Sequence, residues 1–376
     1  MRSRAVGFLS LVGIAAVALA IIAGLVAWVI SPSDSPASRP AAQQSRSGQS
    51  RQAQSPPAQI RPSGSWTVPR PGQPSGQPKS PAPKASGPPR NTPGVSDWFT
   101  RGLRLGVFTA GQSLTSFDSQ VGQAALTVTY VVWGTPVRWL AHVIATAAAS
   151  HAEPILELYP GAHGRNASQI AAGGGSDAWL GSFGRTIARL GDPVAISFFP
   201  EMNGSWRASW SDGPANYVRA FRHVHQVLDG SAGSLITWFW QPSAMHNANP
   251  DPMPWWPGHG YVDVVALDGY YYFPDDNFES IFGATIRLVR QAAPATPMMV
   301  GETAAGPLYN RQAWEIADLF AGIRRHGMLG LVWFNRSQHM QPYQFHQDWR
   351  LQDHPAALAA FRACLARYGP LATVVR

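Results

Sequence analysis

Past residue 100 the hydrophobic positions fall into two recurring patterns. The first is a short run that is apolar, β-branched or aromatic at nearly every position. Eight such runs occur: LRLGVFTA (103–110), LTVTYVVW (126–133), EPILELYP (153–160), PVAISFFP (193–200), SLITWFWQ (234–241), VDVVALDGY (262–270), TPMMVGET (296–303) and GLVWFN (330–335). Continuous rather than alternating apolar character predicts parallel strands buried on both faces. The second pattern is a longer segment with apolar residues at three- and four-residue spacing, as in VRWLAHVIATAAASHA, DAWLGSFGRTIARLG, ANYVRAFRHVHQVLDG, FESIFGATIRLVRQAAP, QAWEIADLFAGIRRHG and PAALAAFRACLARYG. These are predicted helices, several of them ending at glycine. They lie between most of the strand-like runs, although the connections after the first and fifth runs look irregular. Eight strands alternating with helices over residues 96–376 predict an α/β fold, a (β/α)8 TIM barrel. An open doubly wound sheet is the alternative, but VFTAGQSLTSF, after the first run, is not the Gly-rich phosphate loop such a sheet usually carries.

The first 95 residues read differently. Arg2 and Arg4 precede 26 residues without a charge, Ala5–Ile30. At about 1.5 Å per helical residue this stretch exceeds the roughly 30 Å hydrocarbon core of a bilayer. Residues 1–30 are therefore expected to be a signal anchor, an uncleaved transmembrane helix with its N-terminus in the cytoplasm. A cleaved secretory signal is the competing reading, although WVISPSDSP carries no A-x-A site. Residues 31–95 are dominated by Ser, Pro, Gln, Gly and Arg, with too few apolar side chains to offset chain entropy, and are expected to form a disordered, extended linker. The expected location is the cell membrane, single-pass, with the 96–376 domain outside the cell.

Charge changes the picture once it is located. The chain carries a net +8, which would point to nucleic acid if it lay on the globular part. The first 95 residues hold ten basic groups against Asp34, and residues 96–376 hold 19 basic and 20 acidic groups. The barrel therefore has no electrostatic footprint for DNA or RNA. The basic tail suits an anionic membrane surface or wall polymer. The one cysteine, Cys364, falls in a helical pattern and reads as a small core residue. His223 and His225 read as helix surface or packing, and His339, His346 and His354 lack metal-ligand spacing, so no metal site is expected.

In a (β/α)8 barrel, chemistry sits at the C-terminal ends of the strands. Those ends carry Tyr159, Glu201, Gln241, Asp268, Tyr270, Glu302, Asn335 and Arg336. Glu201 closes the fourth strand and Glu302 the seventh, across the barrel from one another. Two carboxyl groups about 5–5.5 Å apart are the arrangement for retaining glycoside hydrolysis, in which one protonates the leaving oxygen and the other attacks the anomeric carbon. The aromatics Trp206, Trp210, Trp238, Trp240, Trp255, Trp256, Trp333, Tyr270, Tyr271 and Tyr272 fall at or past strand ends. Indole and phenol faces suit the apolar C–H faces of sugar rings.

Four blocks resemble glycoside hydrolase family 26, the β-mannanases and relatives in the large clan of (β/α)8 retaining glycosidases. They are PEMNGSWRASW, WWPGHGYVDVVALDGY, VGETA and the closing FN…QDWRLQDHPAALAAFR, and the resemblance covers about residues 96–365. It implies Glu201 as acid/base, Glu302 as nucleophile, Trp206 and Trp210 as substrate-facing aromatics, Tyr270 as hydrogen-bond donor to the nucleophile and Trp238 as support for the sugar at the cleavage point. Asn203, Asp268, Trp333 and Asn335 complete the expected substrate-binding set. One position departs: histidine usually precedes the acid/base, and Pro200 stands there, with neither a side-chain hydrogen bond nor a backbone N–H. The resemblance implies a monomeric, cofactor-free endo-β-glycosidase of an extracellular polysaccharide, β-1,4-mannan by family default. A mixed-linkage β-glucan hydrolase, a sugar-transferring enzyme and a non-catalytic polysaccharide-binding surface protein are the alternatives.

Overall fold

All eight runs form strands, each slightly shorter than its sequence signal: β1 (Arg104–Phe108), β2 (Leu126–Val132), β3 (Glu153–Tyr159), β4 (Val194–Phe198), β5 (Ile236–Trp240), β6 (Val264–Asp268), β7 (Met298–Thr303) and β8 (Gly330–Phe334). They pair in parallel in sequence order, and β8 returns to β1 in register from Arg104 opposite Gly330 to Phe108 opposite Phe334, closing the barrel. The computed structural model describes residues 102–160, 165–246, 249–340 and 345–369. The anchor expected at 1–30 and the linker expected at 31–95 lie outside the described residues. Among the described residues no helix is long and apolar enough to cross a membrane.

The helices are α1 (Leu114–Gln120), α2 (Val137–Ala149), α3 (Ala167–Ala171), α4 (Gly175–Leu190), α5 (Ala208–Ser211), α6 (Pro214–Ala232), α7 (Ala284–Ala292), α8 (Gln312–Arg325) and α9 (Pro355–Tyr368). The two irregular connections are as the pattern predicts: β1 is followed by the two-turn α1, and β5 by a single 3-10 turn, Met253–Trp255. A hairpin not foreseen from the sequence, β9 (Ser337–Met340) with β10 (Phe345–Asp348), follows β8.

The period-2 alternation of strand side chains sorts each strand into a helix-facing and a barrel-facing set. Phe198 meets Tyr217 and Phe221 of α6, Trp238 stacks on His225 of α6 at 4.7 Å, and Trp333 meets Phe361 of α9 at 5.3 Å. The opposite parity points inward: Gln241 bonds both Glu157 and Asp268, and Tyr130 reaches Glu302 across the mouth. The apolar layer between strands and helices holds the fold, and Glu157, Gln241, Asp268 and Glu302 gather toward the C-terminal end of the barrel.

Candidate active site

The chain leaves β4 through a strained turn. Phe199 and Glu201 both adopt left-handed backbone, with φ of 45° and 59°, on either side of Pro200. Non-glycine residues rarely sit there, at a cost of order 1–3 kcal/mol each, unless surrounding structure over-determines them. Here it does: the Phe199 N–H donates to the Leu158 carbonyl at 3.0 Å and the Glu201 N–H to the Gln241 carbonyl at 2.7 Å. Strands β3 and β5 thus fix where the Glu201 side chain starts.

The Glu201 carboxylate accepts from three donors. Arg207 Nη2 reaches Oε2 at 2.8 Å, Trp206 Nε1 reaches the same oxygen at 3.2 Å, and Ser243 Oγ reaches Oε1 at 3.2 Å. The indole of Trp206 lies so close to Gly204 that a Cβ there would sit 2.5 Å from the ring, so the glycine after Asn203 is what lets Trp206 fold back over the carboxylate. Arg207 is buried, with its guanidinium 4.5 Å from the Trp210 ring and 5.3 Å from the Tyr159 ring. Its Nε and Nη1 have no hydrogen-bond partner among the described residues, so the aromatic faces and the Glu201 charge are what compensate its burial.

Across the mouth, Glu302 near the end of β7 accepts from Tyr130 at Oε2, 3.1 Å, and from Tyr270 at Oε1. Burial, then the charges of Glu157 and Glu201, push its carboxyl up to about 8, against the opposing pull of the two phenols. The Glu201 charge, at the same end of the barrel, thus acts against ionisation of Glu302. Beneath them, Gln241 Nε2 donates to Glu157 at 2.9 Å and to Asp268 at 3.2 Å, and the Tyr159 hydroxyl donates to Glu157 at 2.8 Å. Burial is also the leading cause at Glu157, pushed up to about 7, and at Asp268, pushed well above the carboxylate range. Four carboxyl groups in one mouth with Arg207 as their bonded cation cannot all ionise cheaply, so the floor retains protons near neutral pH.

The expected site residues divide. Glu201, Trp206, Tyr270 and Glu302 meet around the pocket. Asp268 lies in its floor, bonded to Gln241. Trp210 is buried behind Arg207, where it supports the guanidinium rather than facing the opening. Asn203 is turned away: its amide donates to the Ser243 and Pro250 carbonyls and accepts from the Ser243 N–H, which pins the loop after β5. Asn335 is fully buried, holding Gln352 and the Leu351 N–H in the last loop. Trp238 and Trp333 cannot contact a ligand in the mouth, because strand parity points both at the helices; Trp333 donates to the Trp349 carbonyl there. Trp240 and Trp256 pack edge to face at 5.0 Å with Trp240 fully buried, and Tyr271 bonds Asp318 of α8, so these too lie behind the strands. Four participants carried signals that sequence reasoning passed over. Glu157 is an acid in the middle of an apolar run, Tyr130 has inward parity on β2, Arg207 lies inside the block that holds Glu201, and Ser243 follows the β5 end.

Comparison with known proteins bears on the family and the barrel. The model of Glycosyl hydrolase family 26 matches residues 185–314, which run from the last turns of α4 to the start of α8 and include Glu201 and Glu302. Endoglucanase H of Acetivibrio thermocellus is 23% identical over 207 residues, covering 51% of this chain and 22% of that protein; the chain thus spans about a fifth of the length of the curated relative it matches. Among solved structures, the Cellulomonas fimi endo-β-1,4-mannanase double mutant aligns with a TM-score of 0.55 at 18% identity, covering 72% of each chain. A family 26 β-mannanase from Bacteroides ovatus aligns at 0.52 with 14% identity, covering 75% of this chain and 93% of that one. At these identities the two structures speak for the barrel alone.

Proposed function

Because residues 185–314 match the model of glycosyl hydrolase family 26, we propose that the chain is a retaining β-glycosidase of a neutral β-linked polysaccharide, with Glu201 as acid/base and Glu302 as nucleophile. The observation that supports this reading is that Glu201, just past β4, and Glu302, on β7, stand at the same end of the barrel, each in its own hydrogen-bond frame. Tyr130 and Tyr270 hold both oxygens of Glu302, which orients the carboxylate for attack at an anomeric carbon between the two acids. Glu201 first gives its proton to the departing glycosidic oxygen and then takes one from the water that opens the glycosyl-enzyme intermediate. Trp206 is half-exposed beside Glu201, positioned to cover a sugar face. The concentration of carboxyl groups disfavours uronate-rich or sulfated polymers, since each anionic substituent would meet like charge in a low-dielectric mouth. β-1,4-Mannan is the first expectation and mixed-linkage β-glucan the second.

A panel of mannan, glucomannan and mixed-linkage β-glucan, with the first-formed products followed by proton NMR, tests the proposal. Release of the β-anomer ahead of mutarotation is expected. First appearance of the α-anomer would mean inversion, and no turnover of any β-glycan would remove the catalytic reading in favour of a binding protein. The proposal also places the barrel outside the cell, tethered through the uncharged stretch Ala5–Ile30. Membrane fractionation of the full chain against a chain lacking residues 1–30 checks it: the first is expected in the membrane pellet and the second in the soluble fraction.

A further inference from the structure

The charge of residues 96–376 is near balance overall but unevenly spread. The last turns of α7, α8 and α9 carry Arg290, Arg324, Arg325 and Arg367, all exposed. No acid stands in those turns, nor in the connections from α7 to β7 and from α8 to β8, residues 293–297 and 326–329. Helices of a (β/α)8 barrel run opposite to its strands, so these turns lie at the N-terminal end of the strands, away from the mouth that holds Glu201 and Glu302. The helix macrodipole favours a cation at any one helix C-terminus. It gives no reason for cations of two helices to meet.

Arg324 of α8 and Arg367 of α9 converge on one ring. Each guanidinium carbon lies 5.6 Å from the centre of the Tyr368 ring, which Phe320 backs at 6.1 Å. With Ala321 and Arg325 these residues line an open cleft of about 370 Å³. Glu279 is taken up by Arg325 at 3.0 Å and by His326 at 2.8 Å. Among the described residues neither Arg324 nor Arg367 has a carboxylate within ion-pair distance. Like charges gathered in this way repel, and an anion seated between them removes the penalty. The Gly369 carbonyl, next to Tyr368, accepts from the Leu103 N–H at 2.9 Å. The chain that leads from residues 1–101 therefore enters the barrel beside this cleft.

We propose that the cleft around Arg324, Arg367 and Tyr368 is a docking face for the phosphate headgroups of an anionic membrane, seating the barrel with its catalytic mouth turned away from the lipid. The occupant rests on the tethered reading of Ala5–Ile30 given above. Guanidinium forks donate in pairs to phosphate oxygens, and a tyrosine with an apolar body and a polar tip suits the headgroup level. The membrane is favoured over other polyanions because the uncharged stretch is joined, through Ser31 to Arg101, to the side of this cleft. Residues 35–96 of that segment hold no acid, so they cannot neutralise the arginines and are drawn to the same surface. Each basic residue at an anionic surface strengthens the contact about fivefold. The face therefore orients a barrel that the anchor holds there, and is too weak to retain an untethered one.

The test is phenylglyoxal footprinting of arginines, read by peptide mass spectrometry. The full chain is reconstituted into phosphatidylcholine vesicles and into vesicles that also hold phosphatidylglycerol. Arg324, Arg325 and Arg367 are expected to react at least about fivefold more slowly on the anionic vesicles, and high salt should restore their rates. Arg219, exposed in the first half of α6 toward the mouth, should react equally on both. In the Arg324→Gln/Arg367→Gln variant, with melting temperature as the check on folding, Arg325 should lose its protection; retained protection overturns the cleft as the seat. Equal rates for the wild type on the two vesicles, or equal slowing of Arg219, overturns the face. On neutral vesicles, matching protection by added inorganic phosphate or by soluble poly(glycerol phosphate) assigns the cleft to a free phosphate or a wall polymer and overturns the membrane as its occupant. If the full chain does not enter neutral vesicles, the anchor reading fails separately. The face is then judged on the chain mixed with anionic vesicles at saturating lipid: slowing at Arg324 and Arg367 supports it, and its absence overturns it.

Discussion

Replacing Glu302 by glutamine is expected to lower kcat/KM on the cleaved polysaccharide by at least about 10⁴-fold, with the fold intact. The amide keeps the volume and an oxygen for Tyr130 or Tyr270 but cannot form the glycosyl ester, so the double displacement loses its first covalent step. That factor corresponds to about 5.4 kcal/mol of transition-state stabilisation. Wild type should also show the acid limb that this carboxyl imposes. Burial first, then Glu157 and Glu201, hold Glu302 at about 8. A nucleophile raised in this way is protonated, and idle, below that value, so activity rises as pH climbs toward 8 and is lost as pH falls through it. The limb appears in kcat/KM because that quantity reports the free enzyme. Glu157→Gln removes the second-largest cause and should move the limb down by roughly one unit. A Glu302→Gln enzyme that retains more than a tenth of wild-type turnover would assign the attacking group to another residue, and an acid limb unmoved by Glu157→Gln would deny the electrostatic coupling through the barrel floor.

Strand existence was legible because every barrel strand is covered on both faces, so its composition is apolar throughout and stands out against the helical periodicity. The same property hid the orientation of individual side chains. In a strand such as ITWFW no alternation of polarity says which residues point inward, and Trp238, expected at the substrate, shares the parity of Ile236 and Trp240 and faces the helices. Gln241, one residue later and polar, marks the inward parity and would have sorted them. Trp333 is the same case beside Phe334, which faces inward, stacking on Phe108 at 4.8 Å. The acids were legible because a carboxylate at the end of a buried strand has few structural uses. Glu157 was passed over because it sits mid-run, where the surrounding apolar residues dominate the reading. Asn203 and Asn335 were expected at the substrate and instead hold loop backbone, a role that depends on contacts 40 and 16 residues away in sequence and has no local signature.

Glu201→Ala is expected to give a different kinetic signature from Glu302→Gln, and the difference separates the two roles. Without the acid/base, cleavage of a bond with a poor leaving group, such as the sugar hydroxyl of the polysaccharide, should slow by about 10²–10⁴-fold. An activated aryl glycoside whose phenolate leaves without a proton should form the glycosyl-enzyme almost as fast as in wild type. The intermediate should then persist, because no base deprotonates the incoming water, and a burst of phenol should precede a slow steady state. Azide needs no deprotonation, so adding it should restore turnover and yield a β-glycosyl azide. Arg207 makes the alanine variant a demanding one: removing Glu201 leaves a buried guanidinium that, among the described residues, bonds only this carboxylate and lies over Trp210 and Tyr159. Loss of one partner of a buried pair costs about 3–5 kcal/mol, so Glu201→Gln, which keeps an oxygen for Arg207, is the companion variant. If both variants slow good and poor leaving groups equally and azide rescues neither, Glu201 orders the site through Arg207 and the proton comes from elsewhere.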